Sequence, residues 1–370
     1  MWLIVHVSLF MHHGVRTLFD STGYIKAADF LIEHGKLEDI HLFFYAVPVG
    51  CIAFFRILFP GEIIPFLIFQ SVISGIAVVA LYRVAERIFN NAFAGLLAGT
   101  IFLVWIDNIH WNVAVMTESL FCSFICFILY QLVYAPSTPK SFFLLIISSV
   151  ITFFIRPTGI VVIVGVIAFL VQYHWAYVVR KPFLKIIILF SVITSSLIGA
   201  YLMFLHWDFT GQYEKGNIVT YMDGINGNSF YDARLQVDTQ GVKFAPANEH
   251  PIYKIVFFIF HNPGHFSRAA GLKVWYLVSA VRPYYSTAHN VYSLVWVSLI
   301  YFASYLGWKR MSNNAVKAFI LVVILVNCLL IGISTVDWDN RFYIPMEPGI
   351  VVLSAGGFVY LFKLIKLRIR

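Results

Sequence analysis

Residues 63–82, IIPFLIFQSVISGIAVVALY, are twenty positions without a charge. A helix of that length rises ~30 Å, the depth of a bilayer's hydrocarbon core. Other runs resemble it, and the whole chain shares their character: of 370 residues 60% are hydrophobic and 12% charged, with a mean hydropathy of +0.81. Such a composition describes an all-α, polytopic transmembrane protein, one domain over residues 1–370 with no soluble domain inside it. Further spans are expected at 93–105, 113–134, 142–155, 160–179, 186–205, 291–308, 318–334 and 349–364. With the opening run MWLIVHVSLFMHH (1–13) they make about ten. That opening run lacks the basic start and small-residue cleavage site of a secretory signal, so it reads as a short first span, and its shortness suggests an upstream start. Cys51, Cys122, Cys126 and Cys328 lie in or beside apolar runs without metal-ligand spacing, and read as packing residues.

Charge sets the orientation. The sequence pI is about 9.2, but the basic residues are scattered between apolar runs rather than gathered on one face, which argues against nucleic acid as a partner. The turns at Arg83/Arg87, Lys140, Arg180/Lys181/Lys185 and Lys309/Arg310/Lys317, with the tail KLIKLRIR (363–370), fall on one side, and the positive-inside rule makes it cytoplasmic. Glu86 joins them. The other carboxylates, among them Asp20, Asp29, Asp107, Glu118, Asp337, Asp339 and Glu347, fall at or just inside the opposite face, so any chemistry is expected there.

Two outer regions are too polar or interrupted to be ordinary spans. The first outer loop, 14–60, contains FDSTGYIKAADFLIEHG (19–35), where Tyr24, Ala27, Ala28, Leu31 and Ile32 share one helical face and Lys26, Asp29 and Glu33 the other. This predicts an amphipathic helix on the outer leaflet, preceded by Asp20 and Ser21. Asp20 is either its N-cap or a carboxylate held at the mouth of a cavity. Residues 40–60 continue as an interfacial or re-entrant helix, because Pro48 and Arg56 suit a span poorly. The second region is a long outer loop, 206–290, whose pieces IYKIVFFIFH (252–261) and VWYLVSAV (274–281) are each half a span and are expected at the membrane surface.

Isolated polar residues in apolar settings mark candidate functions. MTESLF (116–121) puts Glu118 about one and a half turns into a span, where an unpaired charge costs several kcal/mol, so it needs a cation or a wet cavity. FFIRPTGIV (153–161) sets Arg156 at an outer helix junction, as a snorkelling anchor or a functional cation, with Pro157 opening the next helix. VDWDNRFYIPMEP (336–348) puts Arg341 and Tyr343 on the turn before the last span. Its Asp337 and Asp339 read as solvated, with a divalent cation as the alternative. His261, His265 and His289 have no metal-ligand spacing, so no metal site is expected.

DSTGY before an amphipathic helix, TESLF opening a span, RPTG at an outer junction and NRFYIPMEP before the last span, in that order, resemble the GT-C glycosyltransferases. The likeness is closest to the aminoarabinose lipid A transferases and protein O-mannosyltransferases. The chain departs in having a single Asp20 where an Asp-Glu pair is common. The resemblance implies a sugar moved from a polyprenyl phosphate to a hydroxyl of a glycan, lipid or protein, with inversion, on the periplasmic side of a bacterial inner membrane. It implies Asp20 as catalytic base and Glu118 as a second catalytic-site carboxylate, holding sugar hydroxyls or orienting an arginine. Arg156, Arg282 and Arg341 are the expected phosphate cations, with Lys254 and Arg268 behind them, and Tyr24, Asp107 and Tyr343 complete the substrate-binding set. The other readings are a lipid-linked glycan polymerase or ligase, and a lipid-linked sugar transporter or flippase. A transporter is expected to carry ionisable groups at the midplane and internally repeated halves, and neither is evident.

Overall fold

The computed structural model describes residues 1–17, 19–134, 138–175, 183, 210–220, 235–337 and 339–369. Among these residues the structure is helical, with isolated bridges in place of strands. The predicted span 186–205, the Arg180/Lys181/Lys185 turn and residues 221–234 lie outside the described residues. The chain divides into two compact units, residues 1–174, 300–323 and 344–370 forming one and residues 175–299 and 324–343 the other.

The first unit is built around α5 (Ile64–Phe89), against which α6 (Ala92–Val104) and α8 (Glu118–Tyr134) pack. Pro65 sits in the first turn of α5, where a missing N–H costs nothing, and Asn90 ends it in the left-handed region at φ 47°, ψ 47°. Asn91 then caps α6, its side-chain oxygen accepting from the Phe93 and Ala94 amides at 2.8 and 3.3 Å. The hairpin closes tightly because Gly95 faces the Tyr82 carbonyl, which a Cβ would approach to 2.7 Å. The last helix, α16 (Glu347–Ile369), lies on α6, α5 and α8. Where α14 (Thr287–Arg310) crosses α16, Gly307 and Gly357 let backbones touch; a Cβ would fall 1.9 Å from the Leu353 carbonyl and 1.8 Å from that of Ala303.

Near the amino end, α1 (Trp2–His13) is followed by α2 (Phe19–His34), the single turn α3 (Ile40–Phe43) and α4 (Ala46–Leu58), and α2 packs on α4. Tyr24, Ala27 and Ala28 are buried as their spacing predicts, while Ile32 stays 40% exposed. Arg56 of α4 grips Asp29 of α2 with Nε and Nη2, at 2.7 and 3.2 Å. The helix starts earlier than expected: Asp20 and Ser21 lie inside its first turn, so Asp20 is not the residue before the helix.

Among the described residues four helices are long and apolar enough to cross a membrane, α5, α14, α15 (Asn314–Ile333) and Glu347–Leu367 of α16. A fifth span arises if α6 and Ile106–Val113 count as one, bent by 63° at Trp105. The α-helices at the expected spans 113–134, 142–155 and 160–179 are shorter: α8, α9 (Pro139–Ile155) and α10 (Ile160–Tyr173). At 17 residues α8 and α9 rise about 25 Å, less than a hydrocarbon core. α8 begins five residues later than the expected span because the chain is broken before Glu118, whereas α9 contains the whole of 142–155.

The second unit contains α11 (Thr210–Glu214), α12 (Pro251–His261) and α13 (Pro263–Ser279). Tyr213, Ile255 and Phe258 form a small core there. The 3-10 turn Arg341–Tyr343 belongs to the same unit.

Candidate functional site

In the first unit the site grows from two helix ends. Glu118 is the first residue of α8 rather than one and a half turns inside a span, and it is fully buried. Arg156 leaves α9 in an extended conformation, φ −160° and ψ 136°, because Pro157 disfavours helix in the residue before it. The 3-10 turn Pro157–Gly159 then leads into α10, and it closes only with glycine, since a Cβ at 159 would stand 2.7 Å from the Phe153 Cα. These two ends bring the side chains together: Arg156 Nη1 donates to Glu118 Oε1, with side chains 7% and 0% exposed. The guanidinium faces the protein interior, which overturns the snorkelling reading. Each charge here depends on the other, because a lone ion at this depth would carry its whole desolvation cost. Thr117 Oγ1 adds a bond to Glu118 Oε2 at 3.3 Å.

Tyr24 shows what surrounds this pair. Burial pushes its phenol well above the ordinary value, Tyr45, Asp20 and Glu118 push it further, and Arg156 opposes them. All four groups therefore lie within electrostatic reach of one buried hydroxyl, which stays protonated at neutral pH as a donor. The Tyr45 ring stands 5.4 Å from that of Tyr24, and His41 stands 5.3 Å from Tyr45. Asp20, in the first turn of α2, is half-buried, at the helix end where the macrodipole favours a negative charge. The structure thus gathers Asp20, Tyr24, Glu118 and Arg156. Asp107 lies on the short turn α7 (Ile106–Ile109), half-buried, within electrostatic reach of Glu347. Glu347 opens α16, is 1% exposed and sits beside Asn108; the sequence marks it only as one outer carboxylate among many.

The second unit holds its own buried charges. Arg341 Nε donates to Asp337 Oδ2 at 2.6 Å, and the side chains are 8% and 0% exposed. The Asp339 amide donates to Asp337 Oδ1 at 3.3 Å. Asp337 and Asp339 are buried, contrary to the solvated turn expected. Among the described residues no group of three His, Cys, Asp or Glu is placed to hold a metal ion. Arg282 is fully buried and spends its guanidinium on carbonyls, with Nη1 on Tyr276 at 2.6 Å and Val281 at 2.9 Å, and Nη2 on Asp337 at 2.8 Å. Both its Nη atoms thereby tie backbone segments together, where the sequence expects a cation for a phosphate. Tyr343 is buried in the 3-10 turn, Lys254 is half-buried and Arg268 is exposed. Lys273 is absent from the sequence candidates because it lies in an ordinary helical run. Its ammonium is buried, donating to the Ser334 carbonyl at 2.6 Å over the Tyr213 ring at 4.2 Å, and burial lowers its pKa to about 7.

Residues 49–199 match the model of a family described as dolichyl-phosphate-mannose-protein mannosyltransferase, a GT-C type glycosyltransferase family. The matched stretch contains Asp107, Glu118 and Arg156, and bears out the resemblance drawn from the short motifs. No curated protein matches the chain. With the apolar helices, the family match supports a multi-pass membrane protein with glycosyltransferase activity.

Proposed function

We propose that this chain, which carries a GT-C family match over residues 49–199, moves a sugar from a polyprenyl-phosphate donor to a hydroxyl acceptor on the outer face of a bacterial inner membrane. The observation that carries the reading is the buried Glu118–Arg156 pair gathered with Asp20 around Tyr24. Transfer of this kind needs a base for the acceptor and a fixed cation for the leaving phosphate. Asp20 takes the proton as the acceptor oxygen attacks the anomeric carbon, forming the new C–O bond with inversion. The bond from that carbon to the phosphate oxygen breaks, and the electron pair leaves on the polyprenyl phosphate. No general acid is required there; the planar guanidinium of Arg156 meets the developing charge. Glu118 then acts on Arg156, holding the guanidinium in one orientation, and Tyr24 donates from the wall of the same site. Arg341, oriented by Asp337, is the second unit's candidate cation.

The test uses purified protein in lipid vesicles, a panel of polyprenyl-phosphate sugars and candidate acceptors, with products read by mass spectrometry. A single sugar on the acceptor, with free polyprenyl phosphate released in equal amount, is the expected result. Passage of the donor across the vesicle without a new glycosidic bond would make the chain a transporter. Ladders of repeat units would make it a polymerase or ligase.

A further inference from the structure

The mechanism does not use Gln70, yet Gln70 is the most heavily engaged side chain of α5. It lies six residues into a span-length helix, is fully buried, and the two N–H groups of its Nε2 are shared among three carbonyls: Trp111 at 3.1 Å, Asn112 at 2.9 Å and Ala114 at 2.8 Å. Those carbonyls belong to the 3-10 turn His110–Val113 and the extended residues after it, in the segment joining the bent α6 to α8. Outside a helix, such groups have no regular ladder, and buried among apolar neighbours each must find another partner. The remaining carbonyl, that of Val113, accepts from the Arg16 amide at 2.9 Å, while the Val115 amide donates to the Arg16 carbonyl at 3.1 Å. Gln70 and Arg16 together reach all four carbonyls from 111 to 114 from outside, and those of Trp111 and Ala114 also accept from the Ala114 and Met116 amides.

The polar contacts continue toward the site. Ser71 Oγ donates to the Asn112 carbonyl at 3.3 Å, Asn112 Nδ2 to Ser74 Oγ at 3.3 Å, and Ser119 Oγ to Asn112 Oδ1. Ser119 is the second residue of α8, next to Glu118. A stripe on α5 thus fixes the segment that ends where the Glu118 carboxylate meets Arg156. We propose that Gln70 is a positioning residue: it clamps residues 111–114, and through Asn112 and Ser119 it sets where Glu118 meets the Arg156 guanidinium. The proposal rests on the transferase reading for its effect on donor binding, but not for its effect on the segment.

Two measurements on the whole protein in vesicles test it. Amide hydrogen exchange needs no donor: Gln70→Met should speed exchange across residues 110–121 while leaving α6 and α10 unchanged. Donor affinity, measured with a polyprenyl-phosphate sugar, should fall about tenfold in Gln70→Met and in Ser119→Ala, the loss expected when one charge-assisted contact is misaligned. Neither change should weaken binding further in a Glu118→Gln background, because the clamp acts through that carboxylate. Should Gln70→Met fail to fold, Ser119→Ala removes only the bond to Asn112 and carries both measurements. Unchanged exchange at 110–121 would overturn the proposal, as would losses that multiply with Glu118→Gln, since that is the behaviour of a merely structural residue. Lack of donor binding by the unaltered protein would count against the transferase reading, with exchange still deciding the clamp.

Discussion

Removing one member of the Glu118–Arg156 pair should cost more than removing both. With side chains 0% and 7% exposed, neither ion has water to fall back on. Glu118→Leu leaves the guanidinium buried without its carboxylate, and breaking such a pair costs roughly 3–5 kcal/mol. At about 2–4 °C per kcal/mol for units of ~150–250 residues, the melting midpoint in detergent should fall by roughly 10 °C. Arg156→Met should fall comparably, by stranding the carboxylate instead. The double variant Glu118→Leu/Arg156→Met fills the same volume with apolar atoms and should recover to within about 1 kcal/mol of the unaltered protein, because the desolvation cost of both ions disappears with them. Its transfer activity should stay absent, since no cation is left at that position for the leaving phosphate. The assay is a thermal scan of all four proteins at one pH, beside a transfer assay. A double variant as unstable as either single one would refute the energetic argument, and a double variant that transfers sugar at the normal rate would refute the role given to Arg156.

Asp20→Asn should fold and bind donor, yet lose about 10²–10⁴-fold in transfer rate, the range for losing a general base; a normal rate would move the search to Asp107. Gly307→Ala and Gly357→Ala should each force α14 from α16, since the added carbon would sit 1.9 or 1.8 Å from a carbonyl, and an unchanged melting midpoint in either would contradict that packing. Lys273 has its pKa lowered to about 7 from 10.5, so between those values the unfolded chain binds more protons than the folded one and stability rises with pH. The full effect is on the order of 5 kcal/mol, present above the upper value and lost as pH falls through the lower. Lys273→Met should flatten the rise in melting midpoint between pH 7 and 9, and an unchanged slope would show that another group causes it.

Helices are legible in the sequence where apolar runs are unbroken, and charge is a poor guide to where they end. Hydropathy closes the span of α5 at Tyr82, just before Arg83. The hydrogen-bond ladder continues to Phe89, helped by Arg83 Nη1 on Glu86 Oε2 at 3.0 Å, one turn away on the same face. Charged residues end a hydrophobic run without ending a helix. Asn90 does end it, because asparagine tolerates the left-handed conformation. Residues 113–117 show the opposite case, being apolar enough to read as the start of a span. They are not in α8, since Gln70 and Arg16 take their neighbourhood's backbone groups from outside, and no window of local sequence contains those partners.

The same distinction runs through the candidate site. Glu118 and Arg156 could be picked out singly because an ion in an apolar run is costly enough to need a reason. Their pairing could not, because 38 residues separate them and the pairing depends on two helix ends meeting. Arg282 and Arg341 show why the charge alone is insufficient. Both are buried arginines near the turn before α16, and sequence gives them equal claims on a phosphate. Arg341 meets a carboxylate, as Arg156 does, whereas Arg282 is spent on three carbonyls. A guanidinium closed by carbonyls from separate segments ties backbone together, and moving it to meet a ligand would strand those carbonyls in the interior. Arg156 and Arg341 are each oriented by a carboxylate instead. Among buried arginines, the partner rather than the charge therefore separates a structural tie from a cation that a reaction can use.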